Sequence, residues 1–593
     1  MALSKGTKTA IIITSAVCAF LAAVIVVVTV VVPLARVAWQ NSPASSFGEV
    51  SEIISVIESE QNSSANSENI ISDKQESSMG QKTESEERPA SSNVTPTTSQ
   101  SSQPQGSSSQ TPEKPKEWNI YFSSPQDKIT PYNEKSETAK ENYTIYLPKA
   151  SSEGCQISIM SKNKSRSNLS IEVPNNYSKD LTVEVFHERY VTCGEDEFPD
   201  PLLPNELSFD LQKGKNITYL INVITNTSTK SGAYSIPVIL KENGKAFAEY
   251  KITVNVWDFT LKPIDYIDTA FGLNQGYFHM VDDSVDSSTM YKKYYDVMLN
   301  RYGICAYSLP YDILDPRADE YMNNPRVSAF IVPNYNLQAY YNKLKTNPKW
   351  LDKSYFYLVD EPMYMSDYNR LSSMVNNIKN VFPRPNVMVP YYENYPVDGD
   401  GRTSYQIMQN DCTVWCPKIN LQIYEDMNTF MKNEKANGDK YWWYCCWGPD
   451  EPYCNLLIDM DSQYHRLMLW QQYLYDVEGF LYWAINNWRS GNPWDTTVTI
   501  PEISATAYGD GSLLYPGNRV GIDGPVASLR LQVWYYGTQD YYMFQMAEAA
   551  FGGDYVDEQI KRVTNKVYKY SDDKNNIEKV RIEIGNKLSE YYN

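Results

Sequence analysis

Histidine is scarce in this sequence and acidic residues outnumber basic ones, which excludes two classes of function. The 593 residues include 3 His and no HExxH motif, so we expect no metal site built from histidines, and nothing in the sequence implies a cofactor. The 53 Lys and Arg stand against 72 Asp and Glu and form no cluster of the kind that binds phosphate backbones. We therefore expect no nucleic-acid partner.

The N-terminal part of the chain is first almost entirely apolar and then almost entirely polar. Residues 9–34 are long and apolar enough to cross a bilayer, and Lys5 and Lys8 precede them. This pattern predicts a single-pass membrane anchor, with residues 1–8 in the cytoplasm and the rest of the chain outside the cell. A cleaved signal peptide, whose apolar stretch has roughly 7–15 residues, is the alternative. Residues 35–116 are rich in Ser, Gln, Asn, Thr, Glu and Pro and predict a disordered stalk.

Cysteines outside the membrane can form disulfides. Of the 9 cysteines in the sequence, Cys18 lies in the predicted anchor and the others follow it. Cys155 and Cys193 fall in the same predicted domain and form one candidate pair. Buried free thiols are the alternative, and the spacing does not decide between the two.

Two patterns follow the stalk. In residues 117–258, short runs such as Leu181–Phe186 and Thr218–Val223 alternate between apolar and polar residues. Such period-two runs at regular spacing predict an antiparallel β-sandwich. In residues 259–550, continuous apolar runs alternate with helical patterns, which predicts a parallel sheet covered by helices on both faces. Residues 551–593 predict a C-terminal helical tail.

The number of apolar runs in the second region favours a (β/α)8 TIM-like barrel. A doubly wound open sheet is the alternative, but no GxGxxG motif follows the first strand. The candidate strands are Thr269–Leu273, Cys305–Leu309, Ala329–Pro333, Tyr355–Val359, Val387–Tyr391, Thr413–Cys416, Tyr441–Trp447 and Phe480–Ile485.

The fourth candidate strand runs directly into two acids, Asp360 and Glu361, followed by Pro362. Barrel enzymes carry their catalytic groups at the C-terminal ends of the strands. Burial and the repulsion between two carboxylates should raise the pKa of at least one of them, as a general acid requires at neutral pH. The alternative is structural: one acid caps the following helix or pairs with Arg370.

Four segments that follow one another along the chain resemble glycoside hydrolase family 123, the exo-acting N-acetyl-β-galactosaminidases and their relatives. One is the strand that ends in Leu358-Val-Asp-Glu-Pro362, and the resemblance spans about Trp118 to Phe544. The others are Pro199–Pro204, Gly479–Ala484, and Gly509–Gly517 together with Gly524–Leu531. The family usually continues after Arg530 with charged residues, whereas this chain has Gln532, Tyr535, Tyr536 and Gln539, which leaves the sugar specificity open.

The resemblance implies an enzyme that removes terminal β-linked N-acetylhexosamine, foremost N-acetylgalactosamine, from glycans with retention of configuration, and the predicted anchor would hold this enzyme at the cell surface. Glu361 would act as acid and base, while Asp360 would orient the sugar's own 2-acetamido group as nucleophile. One alternative is a retaining double displacement with Glu451 as nucleophile. Another is a non-catalytic carbohydrate-binding protein. The oligomeric state stays open.

Further substrate-binding candidates lie at the ends of the later strands. There a Trp ring can lie under a sugar, a Tyr hydroxyl can hold the acetamido oxygen, and an Asn can bind ring hydroxyls. Packing in the core explains each of them equally well. These candidates are Tyr391, Tyr392, Trp415, Trp443, Trp483 and Asn486.

Overall fold

A computed structural model describes residues 117–174, 180–204, 206–281 and 284–593. The predicted anchor and stalk, residues 9–34 and 35–116, lie outside these ranges. Within them, no helix has both the length and the hydropathy that a membrane span requires.

The first described region is a sandwich of two five-stranded sheets, with strand orders β1-β3-β8-β5-β6 and β2-β10-β9-β4-β7. Alternating residues such as Ile221, Val223 and Ile236 face inward and form its core. Strand β2 runs parallel to β10, so the sandwich is not wholly antiparallel as predicted. The strands are β1 Trp118–Ser123, β2 Tyr143–Lys149, β3 Ser152–Ser161, β4 Arg166–Glu172, β5 Leu181–Cys193, β6 Asp196–Pro204, β7 Ser208–Leu211, β8 Asn216–Thr225, β9 Gly232–Glu242 and β10 Lys245–Thr260.

The second region is a barrel of seven parallel strands in the order β11-β17-β16-β15-β14-β13-β12. The second predicted strand is reduced to a bridge between Ala306 and Phe271, because the chain bends at Tyr307. Tyr307 N donates to Phe271 O over 3.0 Å, and Ile331 N donates to Tyr307 O over 2.8 Å, so this short segment joins the two edge strands. The strands are β11 Asp268–Phe271, β12 Phe330–Ile331, β13 Ser354–Tyr357, β14 Val387–Tyr391, β15 Val414–Pro417, β16 Lys440–Cys445 and β17 Gly479–Tyr482.

Helices surround the barrel and continue into the tail. Two short hairpins also lie in this part of the chain, β18 Leu514–Pro516 with β19 Pro525–Ala527, and β20 Thr564–Lys566 with β21 Lys569–Tyr570. The helices are α1 Tyr277–Val281, α2 Ser287–Val297, α3 Ala318–Asn323, α4 Leu337–Leu344, α5 Pro348–Lys353, α6 Met365–Lys379, α7 Ser404–Met408, α8 Glu425–Ala436, α9 Ser462–Leu474, α10 Leu529–Phe551, α11 Gly553–Lys561 and α12 Asn575–Tyr592.

Alternate residues of each barrel strand face two different cores. One set points to the helices and belongs to a large outer core that also contains residues of α6, α9 and α10. The other set fills the inside of the barrel: Ala270, Ala329, Tyr355, Met388, Val414, Cys416, Trp442, Tyr444, Cys446 and Leu481. The face on which a residue lies therefore decides whether its side chain can reach the barrel mouth.

The eight cysteines in the described residues are free thiols, and all are buried. Cys155 lies in the sandwich core, whereas Cys193 packs against Ile458, so the two candidate partners belong to different clusters. The candidate disulfide between them is therefore absent.

Paired charges join the sandwich to the barrel. Asp200 in β6 accepts from Arg530 in α10 over 2.8 Å, and both side chains are 0% exposed. Arg466 in α9 reaches Glu153 in β3 and Asp540 in α10, over 2.7 Å in each case. The predicted family segments around Pro199 and Leu529 therefore meet at this contact.

Candidate active site

Asp360 and Glu361 follow β13, which corresponds to the fourth predicted barrel strand. Strand β13 ends at Tyr357, and the chain then bends through the two acids instead of continuing the ladder. Glu361 has a φ of 39°, in the left-handed region that residues other than glycine and asparagine seldom adopt. Neighbouring residues of a strand point to opposite faces, and this bend breaks that alternation. Both carboxyl groups can therefore face the same space.

Glu361 lies in surroundings that favour its protonated form. Burial is the main cause, and the charge of Asp360 adds to it, while a hydrogen bond from the Tyr444 hydroxyl acts in the opposite direction. Together they raise the pKa of Glu361 to about 7. A carboxylic acid with such a pKa can both donate and accept a proton at neutral pH.

Asp360 reaches solvent at the mouth, although protein atoms crowd it on its other sides. Burial raises its pKa, and a hydrogen bond from the Tyr357 hydroxyl over 2.5 Å opposes the rise. Each acid thus has its own tyrosine from inside the barrel, Tyr357 for Asp360 and Tyr444 for Glu361. Since a hydroxyl donor stabilises the ionised form, each tyrosine opposes the rise in the pKa of the acid that it binds.

The structural alternative for this acid pair does not apply. Helix α6 is capped by Asp367, whose carboxylate accepts from the backbone of Tyr364 over 3.1 Å. Arg370 pairs with Asp367, at 3.6 Å, and with neither Asp360 nor Glu361. Asp367 therefore provides both the cap of α6 and the partner of Arg370, and neither role requires Asp360 or Glu361.

A glycine-rich loop holds one wall of the mouth. Trp483 follows β17, and its indole nitrogen donates to both carboxylate oxygens of Asp510, each over 3.1 Å. A Cβ on Gly511 would lie 2.4 Å from the same indole ring, so only glycine fits there. Burial raises the pKa of Asp510 to about 6. Arg530 donates to the carbonyl oxygens of Gly509 and Ser512, which ties this loop to the sandwich contact.

Two of the six further candidates face the inside of the barrel. Tyr392 and Trp483 pack against the inner cluster. Burial raises the pKa of Tyr392, and the nearby charge of Glu361 adds to this rise. Both therefore remain candidates for substrate contact.

The other four candidates lie elsewhere. Tyr391, Trp415 and Trp443 belong to the outer core, where Trp415 donates to Asp439 over 3.0 Å. Asn486 is fully buried, and its amide donates to the carbonyl of Asn274 over 2.9 Å. Packing, the alternative considered for each, accounts for all four.

Three residues at the mouth were not predicted: Tyr357, Tyr444 and Lys418. No signal in the apolar runs identifies them, but in the structure Trp442 and Tyr444 share the inner face of β16, and Cys446, just after the strand, belongs to the same inner cluster. Lys418 follows β15 and forms a parallel bridge with Tyr444. Residues paired in register on neighbouring strands point to the same face.

Glu451, the alternative nucleophile, is exposed, and its charge acts on Tyr464 and Tyr570 near the C-terminal hairpin. In the part of the chain that the structure describes, no three His, Cys, Asp or Glu residues are grouped so as to hold a metal ion.

Comparisons with known proteins agree with this arrangement. Residues 333–547 match the family model described as "Glycoside hydrolase 123, catalytic domain". A family 123 glycoside hydrolase from Clostridium perfringens has a similar fold, with 13% sequence identity and a TM-score of 0.60. The match covers 80% of this chain and 98% of that one.

A family 39 glycoside hydrolase from Bacteroides cellulosilyticus WH2 matches with 11% identity, over 63% of this chain and 81% of that one, at a TM-score of 0.28. No curated protein sequence matches the chain. The family model includes β13 to β17 and both acids at the mouth. On this evidence residues 333–547 are a catalytic domain of glycoside hydrolase family 123, and the chain shares the fold of the Clostridium perfringens enzyme.

Proposed function

We propose that this glycoside hydrolase removes terminal β-linked N-acetylhexosamine, foremost N-acetylgalactosamine, with retention and with the sugar's 2-acetamido group as nucleophile. The observation that carries the proposal is the pair Asp360-Glu361, two adjacent acids that the bend at Glu361 turns toward one mouth. A mechanism of this kind needs one acid on each side of the anomeric carbon and no nucleophile from the enzyme.

In the first step, Glu361 gives its proton to the glycosidic oxygen as the bond between that oxygen and the anomeric carbon breaks. The acetamido oxygen attacks the anomeric carbon and forms an oxazolinium ring. Asp360 accepts a hydrogen bond from the amide N–H and stabilises the positive charge. The pKa of Glu361, raised to about 7, supports its part in this step.

In the second step, water attacks the anomeric carbon and the bond to the acetamido oxygen breaks. The ionised Glu361 takes a proton from the water, which restores the acid. The hydrogen bond that Tyr444 donates to Glu361 favours this ionised form. Two inversions at the same carbon leave the configuration retained.

The substrate would be a glycan or glycoconjugate, presented outside the cell to an enzyme held by the anchor and stalk predicted in residues 1–116. The family 123 enzyme from Clostridium perfringens is described in connection with glycolipid glycan hydrolysis. A glycolipid is therefore one form that the substrate of this chain can take.

The test is hydrolysis of chromogenic N-acetyl-β-galactosaminide and N-acetyl-β-glucosaminide by the full chain. We expect wild-type activity, a loss of about 10²–10⁴-fold in Glu361→Gln, and no loss in Glu451→Gln. An N-acetylhexosamine analogue that closes a thiazoline ring should inhibit the enzyme. Activity that depends on Glu451 and resists the thiazoline would refute the assisted mechanism. Sugar binding without hydrolysis would support the non-catalytic alternative.

A further inference from the structure

Lys418 is a buried cation at the barrel mouth for which the proposed mechanism has no role. Its side chain is 8% exposed, and among the described residues it forms no ion pair with a carboxylate. Burying a charge without a partner is costly, so such a group gains more than usual from a ligand that supplies oxygen acceptors.

The surroundings of Lys418 hold its ammonium group at the mouth. Its Nζ lies 4.6 Å from the centre of the Trp447 ring and 5.9 Å from that of Tyr392. A Cβ on Gly448 would lie 3.3 Å from the same Nζ, so the glycine leaves room for its approach. Trp447 is itself 47% exposed, so part of its ring is open to solvent beside the Lys418 ammonium.

Lys418 lies on the side of Glu361 within the acid pair. Its backbone pairs in register with Tyr444, whose hydroxyl donates a hydrogen bond to Glu361. The charges of Lys418 and Glu393 both act on Glu361, whereas burial and Tyr357 are the causes that act on Asp360. In the proposed mechanism, which this inference takes as its basis, Glu361 faces the leaving group and Asp360 faces the acetamido group.

We propose that Lys418 and Trp447 form a leaving-group subsite that binds a sugar, with the Lys418 ammonium donating hydrogen bonds to its oxygen atoms. Lys418 is then a specificity-determining residue that favours a glycan leaving group over an apolar one. The acceptor oxygens can belong to hydroxyl groups of a neutral sugar or to the carboxylate of a uronic acid.

The experiment compares kcat/KM for three substrates of the full chain that share one terminal N-acetylhexosamine: an aryl glycoside, a disaccharide with galactose as leaving group, and one with glucuronic acid. We expect Lys418→Met to lower kcat/KM by at least about tenfold for the disaccharides and less than about threefold for the aryl glycoside. A larger loss with the glucuronic acid disaccharide than with the galactose disaccharide assigns the acceptor to the carboxylate, and equal losses on these two disaccharides assign it to hydroxyl groups. The matched control is Lys345→Met, a lysine 5.2 Å from the Tyr341 ring at the end of α4.

Equal losses on all three substrates, with a shifted pH profile, would mean that Lys418 acts only by changing the pKa of Glu361. This result would overturn the proposal. No loss on any substrate would overturn it as well. Binding of the disaccharides to Glu361→Gln, measured by calorimetry with and without Lys418→Met, needs no turnover. A Kd unchanged by Lys418→Met, or no binding at all, refutes the subsite, whereas failure to cleave the aryl glycoside refutes the proposed function.

Discussion

Buried charges at the contact between sandwich and barrel are neutralised by close partners, whereas at the barrel mouth two acids lie side by side. Asp200 and Arg530 are both fully buried and 2.8 Å apart. Among the residues that the structure describes, Asp360 and Glu361 each have only a tyrosine hydroxyl as hydrogen-bond donor, and burial raises the pKa of both. The first arrangement holds two domains together, and the second keeps a proton available near neutral pH. Substitutions should therefore affect stability at the contact and activity at the mouth.

The largest effect is expected for Arg530→Met. It leaves Asp200 buried without its partner, which should lower the free energy of unfolding by about 3–5 kcal/mol. Chemical denaturation measures the change. Lys561→Met, which removes an exposed pair with Asp557 in α11, should cost less than about 1 kcal/mol. Equal losses in the two variants would contradict the contrast between buried and exposed pairs.

The pH profile of activity tests the acid at the mouth. Because the pKa of Glu361 is raised to about 7, the protonated acid is present below that pH and is lost above it. We expect kcat/KM to fall about tenfold per pH unit at higher pH, and initial rates between pH 5 and 9 measure this. A profile that stays flat from pH 6 to 9 would remove Glu361 from the role of acid.

Tyr444→Phe should move that profile. Without the hydroxyl donor, the pKa of Glu361 rises further, so the fall in kcat/KM begins at a higher pH, while kcat drops about tenfold. The matched control is Tyr355→Phe, since the Tyr355 hydroxyl lies inside the barrel without a hydrogen-bond partner in the described residues. If both variants shift the profile alike, the effect comes from the barrel interior and not from the bond to Glu361.

The smallest change in stability is expected for Glu361→Gly, which relaxes the left-handed backbone at the mouth. The variant should lose activity but gain about 1 kcal/mol in the free energy of unfolding, measured by denaturation. Asn336→Gly, at a φ of 49°, is the control, and it should gain less because asparagine tolerates this conformation. A destabilised Glu361→Gly would show that the mouth stores no strain.

The sequence was sufficient to predict seven of the eight proposed barrel strands and the position of the acid pair after β13, because apolar runs of strand length mark the strands and one of these runs ends directly in two acids. It was not sufficient to predict which aromatic residues reach the mouth. Parallel strands are apolar on both faces, so nothing in the run Tyr441–Trp447 shows which residues point inward. Choosing Trp443 over Tyr444 is an error of one residue, which moves a side chain to the opposite face.

The helical tail was predicted, but its contacts were not. Arg581 in α12 binds Asp540 over 2.7 Å and the carbonyl of Tyr146 in the sandwich over 2.6 Å. The β20–β21 hairpin between α11 and α12 was missed, because strands of three and two residues leave no periodic pattern. Contacts between residues so far apart in the chain have no local signal in a single sequence.

The guanidinium of Arg530 donates hydrogen bonds both to the sandwich carboxylate of Asp200 and to the loop that carries Asp510. A shortened chain that starts at the first barrel strand would leave this cation in an apolar interior and the loop without its anchor. The smallest active fragment should therefore begin before β1 at Trp118, even though the chemistry lies far along the chain.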